Sequence, residues 1–572
     1  MRWMRLVGLG AVAAMACALA AAEPAISLSA VPGTVRVRAT VPVEGAKAAA
    51  IACARNEAES FQVIVRAEGG SLGAVSAEMS PLRREDGAEL PAECVTLYRE
   101  AFVPIRYSAP HATCPPGLVP DPLVPFKHPY SGSPIEMPRW RNNALDGAPF
   151  GAVGFDLWEG HQQPLWVDVA VPRDAAPGVY TGTFRVTAKG VSAAEIPVEV
   201  RVWNFTLPDG PTHENHFGGV GRVARYLGLA EDSEEFFEIE ERYAAMMAAH
   251  RINPEIPGHL MPKPGEDGAI VVDDETDRAI TEFIERHHVT NIGVPRAPFK
   301  DVLGADREKA QNFYRSWYAH LEGKGWAKGA YLYMLDEPND KDAYERVRQL
   351  GAMVAEGEPR LRRLVVEQPY TQKADWGTLD EAIDIWCPLF AFIHEPSVKR
   401  VQAQGDAVWS YTALTQRAPG GYYPEYEAVA EADPPYWELD FPVLSYRIAP
   451  WLNRRYGITG LLYWSAVYWG SPNRNPWLDP GFRIRWNCEG ALFYPGDMAG
   501  IDGPVASIRL KNLRDGMEDY EYFALLDARG GGEVVDEVVR TAVPTWGTWD
   551  QDPYRLPELR RRLAQAIEEL GP

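Results

Sequence analysis

The sequence predicts a multidomain chain: an N-terminal β-sandwich, a central (β/α)8 TIM-type barrel and a C-terminal helical segment. Three observations lead there. The 572 residues exceed what one hydrophobic core usually organises. Period-two alternation with Gly/Pro turns fills 23–207, whereas 208–506 alternates strand-like runs with amphipathic helical stretches. The remainder, 507–572, carries helical periodicity alone.

The chain opens with basic Met1-Arg2-Trp3-Met4-Arg5, an apolar run from Leu6 to about Leu19, and small residues Ala20 to Ala22. This is the pattern of a secretory leader, so 1–22 is expected to be removed and the mature protein to be secreted or periplasmic. The run is short for a membrane span, and no later segment is apolar enough, so no membrane association is expected after cleavage. Cys17 suggests lipidation, but Ala14-Met15-Ala16 is a poor lipobox.

The net charge of −22 becomes −24 once Arg2 and Arg5 leave. Such acidity argues against nucleic acid or anionic lipid as partner. Cys53, Cys94, Cys114, Cys387 and Cys488 are spaced too widely for a zinc site. A disulfide among the first three is open. No metal and no organic cofactor is expected, there being no H-E-x-x-H; Arg286-His287-His288 reads as a solvated helix end.

In the sandwich region, alternation marks Ile26–Ala30, Thr34–Thr40, Phe61–Arg66, Leu165–Val171, Tyr180–Thr187 and Ile196–Trp203 as strands. A Pro- and aromatic-rich insertion over about 104–160 is too long for an ordinary connection. After Leu207-Pro208-Asp209-Gly210-Pro211 the eight barrel strands are expected at His213–Phe217, Ile252–Ile256, Thr290–Val294, Gly329–Asp336, Arg363–Gln368, Ala382–Cys387, Ala407–Thr412 and Gly460–Ser465. Helices are expected at Ser233–His250, Glu275–Arg286, Glu308–Lys324, Lys341–Glu356 and Phe441–Tyr456, and in the tail at Arg514–Leu526 and Pro557–Leu570.

Active sites of such barrels gather at the C-terminal strand ends. There the sequence offers Asp336-Glu337-Pro338 after strand four, Glu367-Gln368 after five, His394-Glu395 after six, Trp409 and Tyr411 on seven, and Tyr463-Trp464 with Tyr468 and Trp469 after eight. Asn215 and His216 leave strand one. Carboxyls can protonate a leaving oxygen, and aromatic rings offer flat faces for sugar rings, so this set points to carbohydrate chemistry. For the rings, burial is the competing reading.

Neighbours on a strand face opposite ways, but a kink at its end lets both reach the mouth, and closeness raises one carboxyl's pKa. Two-carboxylate glycosidases hold their acids apart across the scissile bond. The adjacent pair Asp336–Glu337 fits better with a sugar whose own 2-acetamido oxygen attacks the anomeric carbon, Asp336 orienting it and Glu337 serving as acid, then base. Acids before a helix also complement its dipole by about 0.3–1 kcal/mol, a purely structural use for the pair. Glu367 is the rival acid should it face Glu337. Trp464, Trp469, Tyr463, Tyr468, Trp409 and His394 are candidate sugar contacts. The charged tail Arg514-Asp515-Gly516 to Glu521 reads as a solvated face or a brace against the barrel.

Tyr331-Leu-Tyr-Met-Leu-Asp336-Glu337-Pro338, Leu461-Leu-Tyr-Trp464-Ser, Ser507 to Tyr522, and Ala54 to Gln62 with the Pro172–Tyr180 turn together resemble glycoside hydrolase family 123 and the broad domain family related to it. The resemblance implies β-N-acetylgalactosaminidase activity by the acetamido-assisted route, with Asp336 as stabiliser and Glu337 as acid/base. The expected partner is a glycan or glycoconjugate. Two alternatives stand beside it: a glycosidase using Glu337 with Glu367 on a sugar lacking the acetamido group, and a noncatalytic carbohydrate-binding protein.

Overall fold

The computed structural model describes residues 23–141, 144–416, 434–470 and 474–571. The expected leader and Cys17 lie outside the described residues. Two sheets form the N-terminal sandwich. One is antiparallel in the order Ala25–Pro32, Glu57–Glu68, Gln162–Val171, Val95–Ile105, Gly117–Pro125. The other runs Phe155–Leu157, Leu72–Met79, Gly178–Ala188, Val191–Thr206, Ala49–Arg55, the last pair being parallel. Val63, Val65 and Val167 from the first sheet meet Phe184, Val198 and Val200 from the second in one core. The alternating stretch Thr34–Thr40 is not a strand. Val35 and Val37 are buried, but Arg36 and Arg38 spend their donors on the carbonyls of Pro120 and Leu118, so the segment docks through side chains instead of a ladder.

The insertion returns to its own chain. It contributes the edge strand Gly117–Pro125, then Ala109 N–H donates to Asp440 (2.6 Å) and Phe150 stacks on Trp477 at 4.6 Å. All five cysteines from Cys53 onward are free thiols.

The central unit departs from the expected closed barrel. Its parallel sheet has seven strands: Glu214–His216, Gly460–Leu462, Ala407–Tyr411, Ile385–Trp386, Arg362–Val366, Ala330–Asp336 and Ile292–Val294, in that spatial order. The expected second strand, Ile252–Ile256, does not form. Pro254 and Pro257 lack the N–H groups a ladder needs. Asparagine side chains bridge the gap. Asn215 N–H donates to Asn291 Oδ1 (3.0 Å), Asn291 Nδ2 to Asn215 O (2.9 Å), Asn253 N–H to Asn215 Oδ1 (2.8 Å), and Thr290 N–H to Asn253 Oδ1 (2.8 Å). The first and last strands of the sheet are therefore brought within one side chain of each other, and the sheet curls without a continuous backbone ladder. Asn253→Ala orphans the buried partners and is expected to cost about 1–3 kcal/mol, read from the urea unfolding midpoint.

Helices cover the outside. Glu234–Ala248, Asp274–Arg286, Lys341–Gly357 and Ile508–Ala528 each start at a residue whose side chain accepts an N–H of the first turn: Ser233, Asp273, Asp340 and Ser507. The tail comprises Ile508–Ala528, Gly532–Ala542 and Arg555–Leu570. Its first helix is buried on nearly every side, and Gly516 lies against the backbone of Arg447, where a Cβ would sit 2.5 Å from the Arg447 carbonyl. The charged tail motif is thus no solvated face. Arg514 binds Asp168 (2.9 Å) and Asp515 (2.8 Å), Lys511 binds Asp168 (2.7 Å), and Arg447 binds Asp519 (2.9 Å) and Glu59 (3.2 Å). These pairs brace the sandwich against the helices of the central unit.

Candidate active site

The C-terminal end of the strand Ala330–Asp336 sets the geometry. Its register with Arg362–Val366 slips: Tyr333 faces Leu364, Leu335 faces Val365 and Asp336 faces Val366. Met334 is the extra residue of a β-bulge. Tyr331, Leu364 and Val366 pack inside the curl, while Leu332, Met334 and Val365 pack outward under the helices. Regular alternation aims Asp336 outward with Leu332 and Met334; the bulge turns it to the Val366 face, inside. Glu337 follows at φ 39°, left-handed backbone that costs a non-glycine residue about 1–3 kcal/mol. Bulge and kink together bring both carboxylates, each exposed, to one mouth.

Each carboxylate has its own phenol. Tyr333 Oη donates to Asp336 Oδ1 at 2.8 Å, and Tyr411 Oη donates to Glu337 Oε1. Burial and then the facing carboxylate push both phenols above the usual tyrosine range, so both remain protonated donors. Arg296 donates Nε to the Tyr333 carbonyl (3.0 Å) and lies over its ring. His216 Nδ1 contacts Tyr331 Oη at 2.8 Å and Glu255 at 3.6 Å. His216, Glu255, Arg296, Tyr331 and Tyr333 line a cavity of about 240 Å³ where the second strand is missing, next to Asp336 through Tyr333. The pair does not start a helix: Asp340 caps Lys341–Gly357 by accepting Ala343 N–H at 2.8 Å.

The other expected residues separate. Trp464 and Tyr468 are half-buried, with ring centroids 4.9 Å apart. Trp409, Tyr463 and Trp469 are buried in packing. Trp409 Nε1 donates to Glu214 (3.2 Å), Trp469 Nε1 to Phe493 O (2.8 Å), and Tyr463 Oη accepts Gly490 N–H (2.7 Å). These three support the wall and do not face the mouth. His394 meets Ser397 Oγ at 2.6 Å, at the start of the helix Glu395–Gln404. Tyr411, offered by the sequence at the seventh expected strand, is the phenol on Glu337, whereas Tyr333, the phenol on Asp336, is absent from the expected contacts. A period-two reading gives no sign of the bulge that makes Tyr333 a neighbour of Asp336.

Glu367 is buried, its Oε1 accepting Gln368 N–H (3.1 Å) and Gln372 Nε2 (3.3 Å). Burial pushes its carboxyl up to about 8, the Glu337 charge adding to the rise. A folded-state value above the unfolded one means the folded protein holds the proton longer, so stability falls as pH rises from about 4.5 to about 8. Glu367→Gln is expected to flatten that fall and to exceed the wild type in unfolding midpoint at pH values above about 8. An unchanged pH slope contradicts the assignment.

Among the described residues no group of three His, Cys, Asp or Glu is arranged to hold a metal ion, and no helix is long and apolar enough to cross a membrane. Acids, phenols and an open cavity at the strand ends make a site for polar ring substrates.

Residues 236–526 match the family profile described as glycoside hydrolase 123, catalytic domain. No curated protein matches the sequence. Among solved structures, a family 123 glycoside hydrolase from Clostridium perfringens, described in terms of glycolipid glycan hydrolysis, is similar. It has TM-score 0.66 and 14% identity over 95% of this chain and 98% of that one. A Bacteroides ovatus GH5 xyloglucanase bound to a heptasaccharide aligns at TM-score 0.27 and 8% identity, over 86% of this chain and 100% of that one, too weakly for any correspondence. The first likeness shares the sheet-rich N-terminal region, the curled parallel sheet and the helical C-terminus, and the profile spans half of the sequence, including Asp336 and Glu337. The chain belongs to glycoside hydrolase family 123.

Proposed function

We propose that the protein is an exported, retaining β-N-acetylgalactosaminidase that uses the substrate's 2-acetamido group as nucleophile. The observation that carries this reading is the adjacency of Asp336 and Glu337 on one mouth, each held by its own phenol. Neighbouring carboxyls cannot flank a glycosidic bond from opposite faces as a conventional pair does. They can divide the work of an assisted reaction. Glu337 protonates the glycosidic oxygen as its bond to the anomeric carbon breaks. The acetamido oxygen attacks that carbon, and Asp336 stabilises the positive charge arising on the acetamido nitrogen. Water then attacks the bicyclic intermediate, Glu337 takes its proton, and the product keeps the β configuration. Glu367 does not supply the alternative nucleophile, since a buried carboxyl raised to about 8 is mostly neutral near pH 7. Trp464, exposed in part beyond the inward-facing Leu462, is placed in this reading as the apolar floor of the sugar site.

Release of p-nitrophenol from the β-N-acetylgalactosaminide, the β-N-acetylglucosaminide and the β-galactoside tests the substrate. Turnover of the first, with little or none of the last, is expected. Equal turnover of the β-galactoside contradicts acetamido assistance, and sugar binding without turnover of any of the three points to a noncatalytic lectin-like protein.

A further inference from the structure

A second pair of carboxyls lies behind the sugar site. Glu489 is buried and accepts the Trp464 indole N–H on Oε1 at 2.5 Å. Glu438 is fully buried beside Glu489, and neither of its carboxyl oxygens has a hydrogen-bond partner among the described residues. The indole itself sits in a fitted slot. A Cβ on Gly490 would meet the Trp464 ring at 2.3 Å, so only glycine, here at φ 71°, allows the ring this close. Tyr468 and Phe482 pack on it at 4.9 and 5.9 Å. No ion pair to Glu438 or Glu489 occurs among the described residues, unlike Asp515, Glu518 and Asp519 of the tail, which each meet an arginine.

We infer that Glu438 and Glu489 share one proton and lock the Trp464 indole in place as the floor of the sugar site, Glu489 acting as a positioning residue through that indole. This rests on the reading of Trp464 given above. Two neighbouring buried carboxylates cannot both stay ionised, because neither is solvated and they repel. With one proton between them the pair carries a single negative charge, and a charged acceptor holds an indole N–H more tightly than a neutral one. Burial raises both carboxyls, Glu489 to about 7 against the pull of the Trp464 donor. The groups facing the pair from the surrounding elements are Asp440 on its own segment, Tyr446 on the helix Leu444–Arg455, Tyr463 after the strand Gly460–Leu462 and Arg509 on the tail helix. Arg509 is already committed to Asp121 at 3.0 Å.

The lock is tested without relying on any substrate by indole 15N–1H spectra of tryptophan-labelled protein, Trp464 being assigned as the resonance lost in Trp464→Phe. The Trp464 signal is expected downfield in the wild type, upfield in Glu489→Leu and intermediate in the isosteric Glu489→Gln, which keeps an acceptor but not the charge. A Trp464 signal insensitive to Glu489→Gln overturns the lock. Kinetics on p-nitrophenyl N-acetyl-β-galactosaminide then test its purpose. Glu489→Leu is expected to raise KM about tenfold with a smaller effect on kcat, Glu489→Gln to recover most of that loss, and Glu489→Leu to add nothing in a Trp464→Phe background. Additive losses in the double variant overturn the positioning role. A shifted resonance with no turnover by the wild type leaves the lock established and removes only the substrate assignment.

Discussion

Glu337→Gln lowers kcat on p-nitrophenyl N-acetyl-β-galactosaminide by roughly a hundred- to ten-thousand-fold, the range that a positioned proton donor contributes. The expected loss depends on the leaving group. Nitrophenols with lower pKa need less protonation, so 2,4-dinitrophenolate departs with a smaller penalty in the variant than p-nitrophenolate. Added azide, a nucleophile that needs no base, restores part of the second step and yields the β-glycosyl azide. Asp336→Asn behaves differently. It keeps the hydrogen bond from Tyr333 but loses the charge that opposes the developing acetamido cation, so kcat falls by about a hundred- to a thousand-fold whatever the leaving group. Losses independent of leaving group in both variants contradict the division of roles.

Arg447→Met is the variant with the largest expected effect on folding. Arg447 is 2% exposed and lies among Asp519, Glu59 and Asp515 at 2.9, 3.2 and 3.5 Å. Methionine fills much of the volume but leaves three buried carboxyls without that cation, a loss of about 3–5 kcal/mol when one partner of a buried network goes. Because Glu59 belongs to the sandwich and Asp519 to the tail helix, the urea transition of the whole chain is expected to move. Arg185→Met is the matched control. Its contacts with Glu78 and Glu195, at 3.4 and 3.5 Å, are half-exposed, and exposed pairs contribute about 0–1 kcal/mol. Equal shifts for the two variants contradict the bracing role.

Local signals carried much of this architecture. Amphipathic periodicity announces the helices that begin at Glu234, Asp274 and Lys341, each within one residue of its expected start, and the apolar run Tyr331 to Leu335 announces the strand that bears the pair. The second barrel strand was misread because apolar Ile252 and Ile256 satisfy a strand pattern, while the deciding fact is the absence of N–H groups at Pro254 and Pro257 and the reach of three asparagines from distant segments. The site was legible in its carboxylates and in Tyr411, but not in Tyr333, the partner of Asp336. Asp336-Glu337 stands out as a dipeptide, whereas the bulge at Met334 and the left-handed Glu337 leave no periodic trace. Aromatic residues were the least legible. Trp409, Tyr463 and Trp469 share the composition of a sugar platform and are wall, because burial depends on the neighbours that the fold supplies. For Arg514 and its neighbours the choice between a solvated face and a brace stayed open along the chain, because the deciding partner, Asp168, lies 346 residues away.

The central claim, that the substrate's acetamido oxygen is the nucleophile, is tested most directly by varying that group. The measurement is kcat/KM for p-nitrophenyl β-galactosaminides bearing acetyl, monofluoroacetyl, difluoroacetyl and trifluoroacetyl on the 2-nitrogen. Fluorine withdraws electrons from the carbonyl oxygen with little change in size. A steep, monotonic fall along the series, paralleled in the Glu337→Gln variant at its lower rate, is the expected result. A flat series contradicts the account and turns attention to a carboxylate of the protein as the nucleophile.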